Sequence, residues 1–246
     1  MNPREPTAAD AERFQRDGVV VLKGYFDNVE AFRDTIAETS RRHAGEKVFQ
    51  RYDRFVSLEE IGFTPEAFAS RSYGLRIPEI HALSPELQAM IGACGFERAL
   101  AALAGGNAGR VDMLQSLYFP FSSNQASHSD KYLVSPPSRG YRRETLLGVW
   151  MALDATSLEN GALYGWKGSH RVEGKPYFGD YRQYGDYSRD LTATLVNRGL
   201  SPAFYNVEAG DVVVWASDFV HGGASPLSPS RTRRALVLHY GCLGED

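Results

Sequence analysis

Along the N-terminal part of the chain, apolar positions recur at helical spacing, and beyond it they gather into short runs broken by Gly, Pro, Asn and Ser. Thr7-Ala8-Ala9-Asp10 carries a helix-start signature, with Thr7 as N-cap and an acid in the first turn; the helix ends near Asp17-Gly18. Val19-Val20-Val21-Leu22 follows as a β-branched run typical of a buried strand. Val29, Phe32, Ile36 and Ala37 predict a helix over 28–43, capped by Asp27. Ser84 followed by Pro85 opens another over 84–91, and a further one spans 96–104 before Gly105-Gly106. Residues 44–80 are the least legible: Arg51, Asp53, Arg54, Glu59 and Glu60 read as solvated surface, with a short helix at 65–70.

After Gly106 strand-like runs occur at 111–119, 146–153, 203–207, 211–216 and 234–240, and Glu208-Ala209-Gly210-Asp211 reads as a tight turn between two of them. Helices followed by many short strands predict an α+β, mainly β, fold whose sheet closes as a barrel or sandwich. One domain over 1–246 is the simplest organisation, with 1–108 a mostly helical support and 109–246 the β core.

Composition narrows the function classes. A net charge of -3 gives no basic field, so neither nucleic acid nor a membrane surface is an expected partner. The two cysteines, Cys94 and Cys242, lie far apart without a CxxC, against a disulfide framework or a structural zinc site. The chain opens without an apolar signal core and carries no apolar run long enough for a membrane span, so the cytoplasm is expected. Oligomeric state has no signature in the sequence.

The chemistry begins at Ser127-His128-Ser129-Asp130. On an extended segment His128 and Asp130 point to the same side and could reach one ion. A third candidate ligand, His221, follows the strand-like Val212-Val213-Val214-Trp215. Two imidazoles and a carboxylate on one face of an ion suit non-haem Fe(II), with sites left open for a chelating cosubstrate and O2; zinc accepts the same three. Arg231, Arg233 and Arg234 begin the final strand, where a guanidinium could grip a carboxylate with two parallel hydrogen bonds. Metal plus carboxylate clamp implies a 2-oxo acid.

These residues, with Trp150-Met151-Ala152-Leu153-Asp154, Glu159-Asn160-Gly161-Ala162-Leu163 and Gly168-Ser169-His170-Arg171, resemble in order and approximate spacing the phytanoyl-CoA dioxygenase family. The opening Phe14-to-Leu22 segment is similar too. The resemblance implies a double-stranded β-helix (jelly-roll, cupin-like) core with N-terminal flanking helices, using Fe(II), 2-oxoglutarate and O2 on a small-molecule substrate. It places iron on His128, Asp130 and His221. It makes Arg233 the 2-oxoglutarate arginine, Arg231 the runner-up and Arg234 the third, since alternation turns Arg234 opposite to Arg233. Trp150 matches an aromatic of the cosubstrate pocket, and Ser225 could donate to the same carboxylate. Halogenating relatives lack the carboxylate ligand, so Asp130 favours hydroxylation of a small polar metabolite or biosynthetic intermediate, with release of succinate and CO2. Desaturation, epoxidation and ring formation stay open, as do a non-catalytic jelly-roll module and a zinc-dependent hydrolase or isomerase.

For substrate, Gln115 and Tyr118 lie on the strand entering the site, and Lys131, Tyr141, Arg142 and Arg143 could meet an anionic group or form a solvated loop. The tyrosine-rich segment 177–187 reads as a lid or a plain surface excursion. Trp215, Phe219 and His239 read as core, His170 as a loop-shaping residue, His43 and His81 as surface or packing residues, and Asp154 as a strand-end residue.

Overall fold

The computed structural model describes residues 4–51, 53–71, 74–105, 110–134, 145–180 and 182–242. Helix α1 (Ala8–Asp17) starts in a capping box: Thr7 Oγ1 accepts from the Asp10 backbone N–H and the Asp10 carboxylate accepts from that of Thr7. Gly18, at φ 74°, ends it and turns the chain into β1 (Val19–Leu22). A Cβ at Gly18 would meet the His170 ring at 2.3 Å, so this glycine also makes room for His170. Helix α2 (Val29–Arg42) begins after Asn28 rather than the expected Asp27, and its N-cap side chain makes no capping bond.

Arg51, Asp53, Arg54, Glu59 and Glu60 are exposed as expected, but the stretch that carries them is regular and buries its apolar residues. It forms β2 (Phe49–Arg51), β3 (Arg54–Val56), α3 (Pro65–Arg71) and β4 (Leu75–Pro78), with Phe49, Val56, Leu58 and Phe68 buried. Strands of three or four residues with charges on their exposed face are too short to display a period of two. Then come α4 (Ile80–Leu83), α5 (Pro85–Ala93), α6 (Phe96–Leu103), β5 (Val111–Phe119), α7 (Asp130–Leu133), β6 (Leu146–Ala152) and β7 (Leu163–Gly165). Helix α8 (Tyr184–Asn197), β8 (Ala203–Tyr205), β9 (Val212–Ala216), β10 (His221–Gly223) and β11 (Ala235–Cys242) complete the order.

Among the described residues two antiparallel sheets form. The larger runs β1-β9-β6-β11-β5-β4-β2-β3 and the smaller β10-β7-β8. This is the expected cupin-like class, although the large sheet stays open rather than closing on itself. Leu147, Val149, Met151, Leu236 and Leu238 on one face pack with Phe32, Ile36, Phe96 and Leu100 of the helices. Each such burial contributes roughly 1.5–3 kcal/mol. The other face, bearing Trp150, Val237 and Leu117, looks into a cavity shared with β7 and β10.

Other elements also went unread, among them β7, β10 and α8. Strands β7 and β10 are three residues each and contain glycine, which weakens any strand signal. Helix α8 holds Gly185 and the β-branched Thr192, Thr194 and Val196, all poor helix formers. Packing of Tyr187, Leu191 and Leu195 on Trp166 and Val220 overrides that weakness.

Candidate metal centre

The loop after β5 returns to pair with the start of β10. His128 and His221 exchange two backbone hydrogen bonds of 2.9 Å, forming an isolated antiparallel bridge that brings their rings to 4.4 Å. Ser129 is extended, and Asp130 then opens α7. The segment is pinned by Ser129 Oγ and the Lys131 backbone N–H, both donating to the Ser217 carbonyl. His128, Asp130 and His221 are all buried and each offers one ligand atom, the three lying within 4.8 Å of one another. Asp130 Oδ1 stands 3.7 Å from His128 Nε2 and 3.8 Å from His221 Nε2.

Hydrogen bonding sets which nitrogen faces the cluster. His128 Nδ1 lies 2.9 Å from the Ala126 carbonyl and His221 Nδ1 3.2 Å from that of Phe219. A carbonyl only accepts, so each Nδ1 carries the hydrogen and each Nε2 presents a lone pair. Burial, then the neighbouring His221, push the His128 pKa down to about 3, and burial lowers that of His221. Burial works to raise the Asp130 pKa, but the imidazoles of His221 and His239 outweigh it and hold the carboxyl below its usual range. Two neutral imidazole lone pairs and an ionised carboxylate oxygen thus converge, an arrangement that suits a divalent cation.

The second Asp130 oxygen is held apart from the first. Trp215 Nε1 donates to Oδ2 at 2.6 Å, and His239 Nε2 lies 3.3 Å from the same atom. Register explains the convergence: Trp215, Gly148, His239 and Gln115 form one lateral row across β9, β6, β11 and β5. Gly148 has to be glycine, because a Cβ there would lie 2.2 Å from the Trp215 indole. Trp215 also packs on His221, ring centroids 4.4 Å apart. Both Trp215 and His239 are buried, as expected of core residues, and also line the cavity. His239 carried a readable signal: it shares strand parity with Arg233.

The cavity, about 530 Å³, extends from this cluster to Arg233 and Trp150. Arg233 is buried, its guanidinium 5.5 Å from the Trp150 ring centre. One Nη donates to the Phe121 carbonyl at 3.4 Å, while Nε is buried with no hydrogen-bond partner among the described residues. Burial pushes the Arg233 pKa down to about 10. A cation so placed fits a carboxylate ligand.

Other expected residues lie elsewhere. Arg231 is exposed, 3.9 Å from the Glu159 carboxylate, and Ser225 is exposed with its Oγ donating to Asn124 Oδ1 at 2.5 Å. Both sit on the surface loop before β11, outside the cavity. Tyr118 faces the helical side of β5 and packs on Phe68, because strand alternation puts it opposite to the cavity-lining Gln115, Leu117 and Phe119. Lys131 points away, pairing with Asp218 at 2.9 Å. Arg142, with Tyr141 and Arg143, lies outside the described residues. Arg234 turns opposite to Arg233 and pairs with Asp154, which also holds Arg33. Of the tyrosine-rich segment, Tyr184 forms cavity wall, its hydroxyl donating to the Ala126 carbonyl at 2.7 Å.

Comparison with known proteins adds the rest. No curated protein sequence matches the chain. Among solved structures, the non-haem α-ketoglutarate-dependent carbocyclase SnoK from nogalamycin biosynthesis superposes with a TM-score of 0.73 at 17% identity, over 98% of this chain and 88% of its own. EctD from S. alaskensis, crystallised with bound Fe, gives 0.71 at 21% identity, over 98% and 79%. The same protein with 2-oxoglutarate and 5-hydroxyectoine gives 0.66 at 22% identity, over 98% and 78%. At such identities these likenesses establish the fold. No described helix is long and apolar enough to cross a membrane. The family model for phytanoyl-CoA dioxygenase (PhyH) matches residues 14–235, and the chain therefore belongs to that family of Fe(II)- and 2-oxoglutarate-dependent oxygenases.

Proposed function

We propose that the protein hydroxylates a small polar metabolite or biosynthetic intermediate, with His128, Asp130 and His221 as the iron ligands and Arg233 as the anchor of the distal 2-oxoglutarate carboxylate. The carrying observation is that the three-atom ligand cluster and a buried arginine with an unpaired Nε face one cavity. Bound Fe(II) and 2-oxoglutarate would supply the oxidation: one O2 oxygen enters succinate as CO2 leaves, and the other enters the substrate C–H bond.

The chain's own part is orientation. His128 and His221, fixed by backbone carbonyls, would present Nε2 without searching for a tautomer. Trp215 and His239 occupy Asp130 Oδ2, leaving Oδ1 to bind the ion through one oxygen. Trp150 covers the Arg233 guanidinium and keeps water from it. A carboxylate in the ligand set also fills the position that halide occupies in halogenating relatives, which favours hydroxylation.

Anaerobic addition of Fe(II) and 2-oxoglutarate should produce the weak visible band of the metal chelate. Under O2, a metabolite screen should find substrate-dependent succinate with a product that gains one oxygen atom. No band from fully loaded protein rejects the oxygenase reading. A product with two hydrogens fewer, or of unchanged mass, replaces hydroxylation with desaturation, ring formation or epimerisation. Trp215→Phe tests the supporting contact separately. It keeps a ring over His221 but removes the N–H to Asp130, and should weaken Fe(II) binding about tenfold in competition with a chelating dye. Unchanged affinity would show that the Asp130 carboxylate needs no support from the indole.

A further inference from the structure

The cavity has a second cation, which the cosubstrate does not account for. Arg76, on β4, lines it beside Phe119, the guanidinium 5.8 Å from that ring's centre. Its Nε donates to Gln50 Oε1 at 2.7 Å. Among the described residues it forms no ion pair, and burial alone moves its pKa, downward. Glu79 lines the same cavity but, among the described residues, makes no ion pair with Arg76.

Sheet register separates Arg76 from the cosubstrate path. His239, beside the metal cluster, and Arg233 flank the same run of β11, so 2-oxoglutarate stretched between metal and Arg233 would lie along that strand. Phe119 on β5 pairs with Ala235 of β11, and Arg76 stands beyond it on β4. Two strand spacings put Arg76 roughly 10 Å to the side. That side wing is built from Gln115, Arg76, Gln50 and Phe55, the last 53% exposed at the mouth.

We propose that this wing binds the substrate by an anionic group, a carboxylate or a phosphate, gripped by the Nη atoms of Arg76 while Gln50 sets the guanidinium plane. The proposal rests on the oxygenase reading above. A guanidinium engaged only through Nε by a neutral amide keeps its terminal nitrogens for a planar or tetrahedral oxyanion, which it binds through two parallel hydrogen bonds. Phe55 at the mouth offers an aromatic surface to the remainder of the molecule.

The test uses full-length protein loaded anaerobically with Mn(II) and 2-oxoglutarate. Phenylacetate, phenyl phosphate and uncharged phenylacetamide are titrated in turn, and Mn(II)-induced relaxation of their ring protons reports affinity and proximity. At least one anion should bind about tenfold or more tightly than the amide, as expected for charge-assisted hydrogen bonds, and the stronger anion identifies the group. Arg76→Met should erase that preference and Arg76→Lys should keep part of it. In Arg76→Met the 2-oxoglutarate affinity, read from the Fe(II) chelate band, should stay unchanged. A wild type without anion preference, a preference that survives Arg76→Met, or a loss of 2-oxoglutarate affinity instead would each overturn the proposal. A wild type that forms no chelate band fails the oxygenase reading itself; a normal band without anion preference fails only the anion site.

Discussion

Asp130→Ala is expected to lower Fe(II) affinity by at least 100-fold and to reduce substrate-dependent succinate release to background. The reason lies in how the carboxylate is divided. Oδ1 is the sole anionic ligand atom of the cluster, facing both imidazole Nε2 atoms at under 4 Å. Alanine leaves two neutral imidazoles, too few and too weakly donating to hold a divalent ion in place. It also strips Trp215 Nε1 and His239 Nε2 of their shared acceptor. Loss of activity alone would not separate these effects, so Asp130→Asn serves beside it. The amide oxygen can still accept from the indole while the charge is gone. Asn should melt close to wild type in the metal-free state yet bind Fe(II) far more weakly. Chelator competition and the 2-oxoglutarate band measure both variants. Full turnover by either would remove Asp130 from the ligand set.

The triad and Arg233 were legible because the residue types are chemically distinctive and each sits beside a clear strand or turn. The contacts of Trp215 and His239 with Asp130 were not: parity with Arg233 marks the face of His239, but a buried aromatic beside a carboxylate looks in sequence like any other core residue. Their role emerges only from the lateral row Trp215–Gly148–His239–Gln115, and register is a property of pairing rather than of one strand. Gly148 shows the same dependence: an apparently unfavourable residue in a central strand makes sense once the indole above it is seen.

Ser225 and Arg231 lie outside the cavity for a different reason. Spacing from His221 places them near the site in one dimension, but the loop that carries them runs over the surface and engages Asn124 and Glu159. Loops have no period to reveal their direction. Tyr118 could have been excluded, because β5 is long enough for alternation to act, and choosing Gln115 for the cavity turns Tyr118 away. Arg76 fell in the region of three- and four-residue strands, where no reading of the charge pattern could tell a cavity-lining arginine from a solvated one.

Arg233→Met should raise the dissociation constant for 2-oxoglutarate about 100-fold while leaving Fe(II) binding without cosubstrate unchanged. Two parallel charge-assisted hydrogen bonds in a water-poor site, at about 1.5 kcal/mol each, come to roughly 3 kcal/mol, or two decades of affinity. Methionine fills much of the same volume and removes a charge whose burial is costly, so the fold should not weaken. Arg233→Lys keeps the charge but loses the fork and should fall between the two, near tenfold. The discriminating readout is cosubstrate choice. Pyruvate has the same chelating end and lacks the distal carboxylate, so wild type should prefer 2-oxoglutarate strongly and Arg233→Met should barely distinguish them. A variant that still prefers 2-oxoglutarate as wild type does would place the carboxylate contact elsewhere, with Arg76 the first residue to examine, because it is the other described arginine facing the same cavity.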